Sequence, residues 1–165
     1  MTSHELAIRP AVYDDHEHVW QTLEPTIRAG ETLALDRDMT RAGALDLWFS
    51  ARHEVFVAEQ EGTIVGTYFL RPNQAGGGAH VANSAYVVSP SATGRGIAQA
   101  MCEHSLVQAR ARGFLAMQFD FVISSEERRL KLWQRAGFKI VGTLPKAFRH
   151  PSLGLIDAFV LHRDL

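Results

Sequence analysis

The sequence predicts one mixed α/β domain on a central β-sheet, with about seven strands and about four flanking helices. Three observations carry that prediction. Along the chain, hydrophobic periodicity switches between the 3.6-residue repeat of helices and the two-residue repeat of strands. Two amphipathic stretches each follow a strand-like run directly, as crossovers beside a sheet would. The only glycine-rich stretch, Ala75-Gly76-Gly77-Gly78-Ala79, is too short to separate two domains, so residues 1–165 read as a single unit.

In chain order, residues 5–9 form a short extended run ended by Pro10. Asp14 or Asp15 then caps a helix carrying Val19, Trp20, Leu23 and Ile27 at helical spacing, which Gly30 breaks. Thr40 caps a second helical pattern that runs to Phe49. Residues 53–59 and 63–71 are rich in β-branched and aromatic side chains, with Glu61-Gly62 as a hairpin turn between them. The glycine-rich stretch turns the chain into a further strand, 80–88, closed by Ser89-Pro90. Residues 96–112 make a strong amphipathic helix on which Ile97, Met101, His104, Leu106 and Val107 cluster, and Gly113 stops it. Residues 114–123 are a nearly continuous apolar run, as expected of a strand buried on both faces. Ser124 or Ser125 caps a last helix over 126–136, with Gly137 at its end. Strands at 139–144 and 155–162 finish the chain, joined by a long loop containing Pro145 and Pro151. The order is β-α-α-β-β-β-α-β-α-β-β.

Composition narrows the function classes. Hydrophobic residues make up 46% and charged residues 21%, the balance of a soluble globular protein. With 17 basic and 18 acidic residues the net charge is −1, so no strong field gathers nucleic acid or an anionic membrane. MTSHELAIRP lacks the basic segment and apolar run of a signal peptide, and no apolar stretch is long enough to span a bilayer. A cytoplasmic protein is expected. Cys102, the single cysteine, lies within a predicted helix and reads as a buried filler. No His-x-x-x-His pair occurs among the eight histidines, and no metal site is expected.

The most informative segment is Tyr86-Val87-Val88-Ser89-Pro90-Ser91-Ala92-Thr93-Gly94-Arg95-Gly96-Ile97-Ala98. A strand ends, Pro90 forbids its continuation, and a glycine-containing loop leads directly into a long helix. Such a loop aims several backbone N–H groups at one point, and the helix N-terminus adds the positive end of its dipole. Gly94 and Gly96 let a bulky anion approach the backbone, small Ala98 keeps the first turn open, and Arg95 supplies a positive charge nearby. The pattern describes a phosphate cradle. It is not the nucleotide loop, since no Lys follows Gly96, nor the dinucleotide fingerprint, since Gln99 stands where a third small residue is required.

What the segment resembles is the acetyl-CoA pyrophosphate loop of the GNAT N-acetyltransferases, whose usual pattern is Arg/Gln-x-x-Gly-x-Gly/Ala. Here Gly96 and Ala98 match, and Thr93 replaces the long polar side chain. Two further stretches resemble the family in the right order. Ile8-Arg9-Pro10-Ala11 with Asp14-Asp15 is similar to its first strand and helix; Leu130-Lys131-Leu132-Trp133-Gln134-Arg135-Ala136-Gly137-Phe138 is similar to its last helix and the following Gly-Phe. The resemblance implies the GNAT fold, acetyl-CoA as co-substrate and direct attack of an amine on the thioester. It also implies that the strand end Tyr86-Val87-Val88 holds the pantetheine arm. Tyr86 and Val88 would do so through their main chain, in a splay beside strand 114–123, and a backbone N–H near Val88 would polarise the thioester carbonyl. Thr93, Gly94, Arg95, Gly96, Ile97 and Ala98 then hold the diphosphate.

An alkyl amine has a pKa of roughly 10, so presenting it neutral at pH 7 costs about 4 kcal/mol and calls for a proton acceptor. Asp120, His80, Glu54 and Glu59 are the candidates, and Asp120 leads because it lies beside the implied splay on an otherwise apolar strand; a structural, hydrogen-bonded aspartate is the alternative. Family members usually carry a Tyr general acid and an Asn in the last helix. Trp133 and Glu126 stand at those positions, the first offering no labile proton and the second a carboxylate at a cofactor contact. Resemblance and pattern together nominate Glu31 with Thr32, Asn83 and Arg149 for the acceptor substrate. Arg149 would sit in a lid formed by Phe148-Arg149-His150, a stretch that a homodimer contact would explain equally. The expected function is acetyl transfer to a small-molecule amine, an amino acid, imino acid or analogue. A catalytically degenerate acyl-CoA-binding module is the alternative raised by Trp133 and Glu126; a protein N-acetyltransferase is a third, disfavoured by the long 145–154 loop.

Overall fold

The apolar runs and helical repeats resolve, in the computed structural model, into the predicted order of elements; the structure describes residues 5–165. They are β1 (Leu6–Pro10), α1 (His16–Ala29), α2 (Arg41–Trp48), β2 (Glu54–Gln60), β3 (Thr63–Pro72), β4 (Val81–Val88), α3 (Ile97–Ala111), β5 (Ala116–Ile123), α4 (Glu127–Arg135), β6 (Lys139–His150) and β7 (Gly154–Asp164). All seven strands join one sheet in the order β1-β2-β3-β4-β5-β7-β6. Every neighbouring pair is antiparallel except β4 and β5, which run parallel with α3 as their crossover.

Both faces of the sheet are covered. On one, Val19, Leu23, Ile27, Ala44 and Trp48 of α1 and α2 pack on Val57, Phe69 and Val87. On the other, Ile97, Met101, Leu106 and Trp133 of α3 and α4 pack on Tyr68, Tyr86, Met117 and Phe119. Each fully buried Leu or Ile there contributes about 1.5–3 kcal/mol. Gly66 in β3 permits the close approach of α3: a Cβ there would lie 3.0 Å from Met101 Cε. The Trp48 Nε1–H, which would otherwise be orphaned in the core, donates to Thr67 Oγ1 at 3.1 Å, and that hydroxyl donates in turn to the Phe56 carbonyl at 2.8 Å. The β2–β3 turn carries positive φ at Glu61 and Gly62, 52° and 76°, the type I′ geometry that a two-residue hairpin favours.

Four local expectations are corrected. Thr40 caps α2 by accepting from the Gly43 N–H at 3.1 Å, but neither acidic candidate caps α1 in that way. Asp15 instead accepts from the Val12 N–H at 2.8 Å and from Arg9 at 2.8 and 3.0 Å, closing the turn before the helix. Glu126, not Ser124 or Ser125, stands at the N-cap of α4, with no side-chain cap bond. Val107 is exposed on α3, where Ser105 and Ala109 are buried in its place, because the buried stripe turns one residue away from it. Finally, the long loop at 145–154 does not exist. β6 continues through Pro145 to His150, and a wide bulge sets residues 145–147 against Asp157. Lys146, at φ 50°, donates its N–H to Asp157 Oδ1 at 2.9 Å. An edge strand tolerates a proline at such a bulge, since no neighbour needs its missing N–H.

The buried Asp15 makes a testable contribution to stability. The Arg9 guanidinium, its main partner, holds the carboxyl below the usual carboxylate range against the opposing effect of burial. A depressed carboxyl stabilises the fold above its unfolded pKa, and that stability is lost as pH falls through the folded value. Asp15→Ala is expected to cost about 2 kcal/mol at pH 7. Thermal melts should show the gap to wild type narrowing as pH drops below the usual carboxylate range.

Candidate active site

β4 and β5 pair only at Val81↔Ala116 and Ala82↔Met117, then part. Beyond Ala82 the edge of β4 therefore faces a gap. Its register fixes which groups look into that gap. Ser89 donates to the Val65 carbonyl at 2.8 Å and Asn73 to the Val81 carbonyl at 2.8 Å, so 65/89 and 73/81 are hydrogen-bonded pairs with β3. By strict alternation 66/88 and 68/86 are not, and the N–H groups of Tyr86 and Val88 turn away from β3 toward the gap. The sheet has opened and left main-chain donors along one lip.

On the other lip, β5 is bulged: between Phe119↔Leu161 and Val122↔Phe159, two residues, Asp120 and Phe121, oppose Val160 alone. Bulges re-aim side chains. Here Asp120 becomes the centre of an amide network. Its Oδ1 accepts from Gln118 Nε2 at 2.7 Å and from Asn73 Nδ2 at 3.2 Å, and its Oδ2 accepts from Asn83 Nδ2 at 3.2 Å. Asn83 also donates to Asn73 Oδ1 at 3.1 Å and accepts from the Ser84 N–H at 2.7 Å. A carboxylate oxygen has about two lone pairs, so Oδ1 is filled while Oδ2 keeps one acceptor position.

The gap opens into a cavity of 610 Å³, lined by Asp120, Asn83, Tyr86, Val88 and Trp133 from the sheet and α4 and by Glu31, Thr32 and Leu33 between α1 and α2. A second cavity, 690 Å³, lies between the start of α3 and α4. Thr93, Gly94, Gly96, Ile97 and Ala98 form one wall. Gly94 and Gly96 sit at φ 85° and 77°, and a Cβ at either would meet nothing within 4 Å, so the space before them is open. Gly96 is the N-cap of α3 without a side-chain cap bond, leaving the Ile97, Ala98 and Gln99 N–H groups without helical partners. Arg128, Arg129, Lys131 and Arg135 of α4 line this cavity against the two acidic residues Glu126 and Glu127. Val88, Thr93, Glu126 and Arg129 line both cavities, which therefore meet at the parting of the strands. Burial pushes the Glu126 carboxyl up, with Arg129 opposing and Glu31 adding to the rise; burial also depresses Arg129.

Comparison with known proteins explains the arrangement. The model of the acetyltransferase (GNAT) family matches residues 10–138. The chain belongs to the acetyltransferase (GNAT) family. A GCN5-related N-acetyltransferase from Kribbella flavida is 36% identical and superposes with a TM-score of 0.93 over 97% of this chain and 98% of that one. N-acetyltransferase aca1 of Schizosaccharomyces pombe is 26% identical over 151 residues, covering 81% of this chain and 72% of that protein. A phosphinothricin acetyltransferase from Sinorhizobium meliloti, solved in complex with acetyl-CoA, is 19% identical and shares the fold, with a TM-score of 0.86 over 97% of this chain and 88% of that one. Mixed sheet, helix count and strand order all fit the GNAT fold, and the enzyme class is acetyl-CoA-dependent N-acetyltransferase.

Within this GNAT domain the nominated residues separate into two groups. Asp120, Asn83, Glu31, Tyr86, Val87, Val88, Thr93, Gly94, Gly96, Ile97, Ala98, Glu126 and Trp133 line one cavity or both. Arg95 does not: its guanidinium is drawn to Gln60 Oε1 at 3.3 Å and the Ser91 carbonyl at 3.2 Å, and the positive charge of the second cavity comes from α4 instead. Arg149 is exposed on β6 and lines neither cavity, because the expected lid is the outer strand of a hairpin and Phe148 packs toward Phe121. Three proton-acceptor candidates also lie elsewhere: Glu54 pairs with Arg112, Glu59 pairs with Arg9, and His80 is exposed beside the closed end of the β4–β5 pair. Cys102 is buried, and burial pushes its thiol up to about 12, far from thiolate chemistry at neutral pH. Trp133 packs among Tyr86 and Phe119, with ring centroids at 5.0 and 5.1 Å. The Tyr86 hydroxyl is held by Ser105 Oγ at 2.6 Å within the α3-side core.

The sequence reading gave no individual role to Arg71, Asn73, Gln118 or Arg129. Arg129 carried a usable signal, the basic run Arg128-Arg129-Leu130-Lys131 on a helix predicted to follow the splay. Gln118 carried one too, standing two positions before Asp120 on the same strand, whereas Asn73 carried none, for it meets Asp120 only through pairing of segments distant in sequence.

Proposed function

We propose that this chain transfers acetyl from acetyl-CoA to the amine of a small molecule, an amino acid, imino acid or close analogue, by direct attack. The observation that carries the reading is the junction of the two cavities at Val88 and Thr93. A cradle with open space before two positive-φ glycines, free helix N–H groups and four cations suits the diphosphate of the co-substrate. Main-chain N–H groups of Tyr86 and Val88 then guide the pantetheine arm along the splay, and the Val88 N–H polarises the thioester carbonyl. In the 610 Å³ cavity, a size suited to a small ligand, the acceptor nitrogen attacks the carbonyl carbon. Asp120 Oδ2 takes the proton that nitrogen sheds, held in place by Asn73, Asn83 and Gln118. Both Asn83 amide hydrogens are used within that network, so we assign it to positioning Asp120. The carbon–sulfur bond breaks as the intermediate collapses, and the thiolate is protonated by water, since Trp133 supplies no acid. The buried lone cysteine is consistent with work in the cytoplasm, and no described helix is long and apolar enough to cross a membrane.

Calorimetric titration with acetyl-CoA, followed by thiol release on a panel of free amines, tests this reading. Saturable binding with amine-dependent release is expected. Binding without release on any amine would make the chain an acyl-CoA-binding module, and faster turnover of peptide amines would make it a protein acetyltransferase.

A further inference from the structure

One cation of the 610 Å³ cavity has no hydrogen-bond or ion-pair partner among the described residues. Arg71 of β3 lines the 610 Å³ cavity, and its Nε is buried without any hydrogen-bond acceptor. It joins none of the ion pairs among the described residues. Asn83 and Asp120 of the same cavity bond to each other and to Asn73 and Gln118, and none of the four bonds to Arg71 among the described residues. An unmatched buried donor bears the full cost of its lost hydration, so its presence in a cavity asks for a ligand acceptor. Burial chiefly, and then the nearby charges of Arg71 and Arg52, hold His53 below the ordinary imidazole range against the Trp48 carbonyl contact that raises it.

Register places this cation with some accuracy. Arg71 stands directly opposite Asn83 in the β3–β4 ladder, so the two side chains leave the same face. Pro72 follows and confines the Arg71 backbone to the extended region. Asn83 donates to Asp120 Oδ2. A guanidinium and a carboxylate thus flank one asparagine in one cavity, yet do not pair with each other. Glu31, Asp120 and Glu126 line the same cavity against Arg71 and Arg129, so a dianionic phosphate would meet more negative than positive charge. A monoanion joined to an ammonium meets both signs.

We infer that Arg71 binds the carboxylate of the acceptor, which makes the acceptor an α-amino or α-imino acid whose nitrogen lies toward Asp120. The planar fork of a guanidinium matches a carboxylate through two parallel N–H bonds, which an amide or an alkyl group cannot replace. This assignment rests on the acetyltransferase reading above and adds the group that selects the substrate.

The test compares kcat/KM, by thiol release from acetyl-CoA, for the common L-amino acids and L-proline against their α-carboxamides. Wild type should prefer the free acids by about 10- to 100-fold, the worth of a charge-assisted hydrogen bond. Arg71→Gln should abolish that preference through the KM of the acids, leaving the carboxamide rates and the acetyl-CoA dissociation constant within about twofold, with partial recovery in Arg71→Lys. A preference that survives Arg71→Gln overturns the assignment. So does loss of acids and amides together in a variant that still binds acetyl-CoA, or a wild type that binds acetyl-CoA but ignores every free acid. Should Arg71→Gln melt early, the wild-type ratio of acid to amide and the Arg71→Lys variant decide. A chain that neither binds acetyl-CoA nor acetylates any amine overturns the proposed function, and this assignment with it.

Discussion

Gly96→Leu should raise the acetyl-CoA dissociation constant by about 100-fold or more while leaving a folded protein. The two halves of that expectation come from separate features of one residue. Gly96 sits at φ 77° at the N-cap of α3, a conformation costing an L-residue about 1–2 kcal/mol, which a domain of this size survives. No protein atom lies within 4 Å of a Cβ built there, so the added side chain meets no neighbour in the chain. What it does meet is the open space of the second cavity, where a diphosphate must approach the Ile97 and Ala98 N–H groups. Calorimetry gives the affinity and far-UV circular dichroism the fold. Unchanged affinity in a folded variant would remove the cradle from the mechanism.

Asp120→Asn should lower kcat/KM by about 10²- to 10⁴-fold near neutral pH, the worth of a positioned general base. Activity alone does not decide the matter, because the substitution also disturbs structure. A carboxylate receiving three amide donors becomes an amide with one acceptor oxygen, and the displaced donors of Asn73, Asn83 or Gln118 lose partners. The pH profile separates the two effects. If Oδ2 takes the amine proton, the variant depends on amine already neutral in solution, so its deficit is greatest at low pH. The deficit then shrinks toward the amine pKa of roughly 10. A loss constant with pH, accompanied by a lower melting temperature, would assign Asp120 to structure only.

Element types and their order were legible because each depends on residues close in the chain. Thr40 caps α2 within three positions, Glu61-Gly62 makes a two-residue turn, and Val19, Trp20, Leu23 and Ile27 mark a buried stripe by spacing alone. The cradle was legible for the same reason, since a strand end, a proline, two glycines and a helix start are contiguous. Where sequence reasoning failed, a longer-range contact won. Pro145 read as a loop because proline breaks a central strand, yet β6 is an edge strand and its bulge closes on Asp157 across the hairpin. Arg95 read as part of the cradle by adjacency, but its side chain reaches back to Gln60 on β2.

The amino-acid sequence by itself determined the family, the order of helices and strands, and the glycine loop that leaves main-chain donors free at the start of α3, because local spacing and backbone freedom encode all three. Only the tertiary structure decided that β4 parts from β5 after Ala82, that the amides of Asn73 and Asn83 reach Asp120, and that Arg71 lines the 610 Å³ cavity with its Nε unpartnered among the described residues. Those facts depend on register between strands tens of residues apart, and pairing across such distances is set by how whole faces pack rather than by any neighbour in the chain.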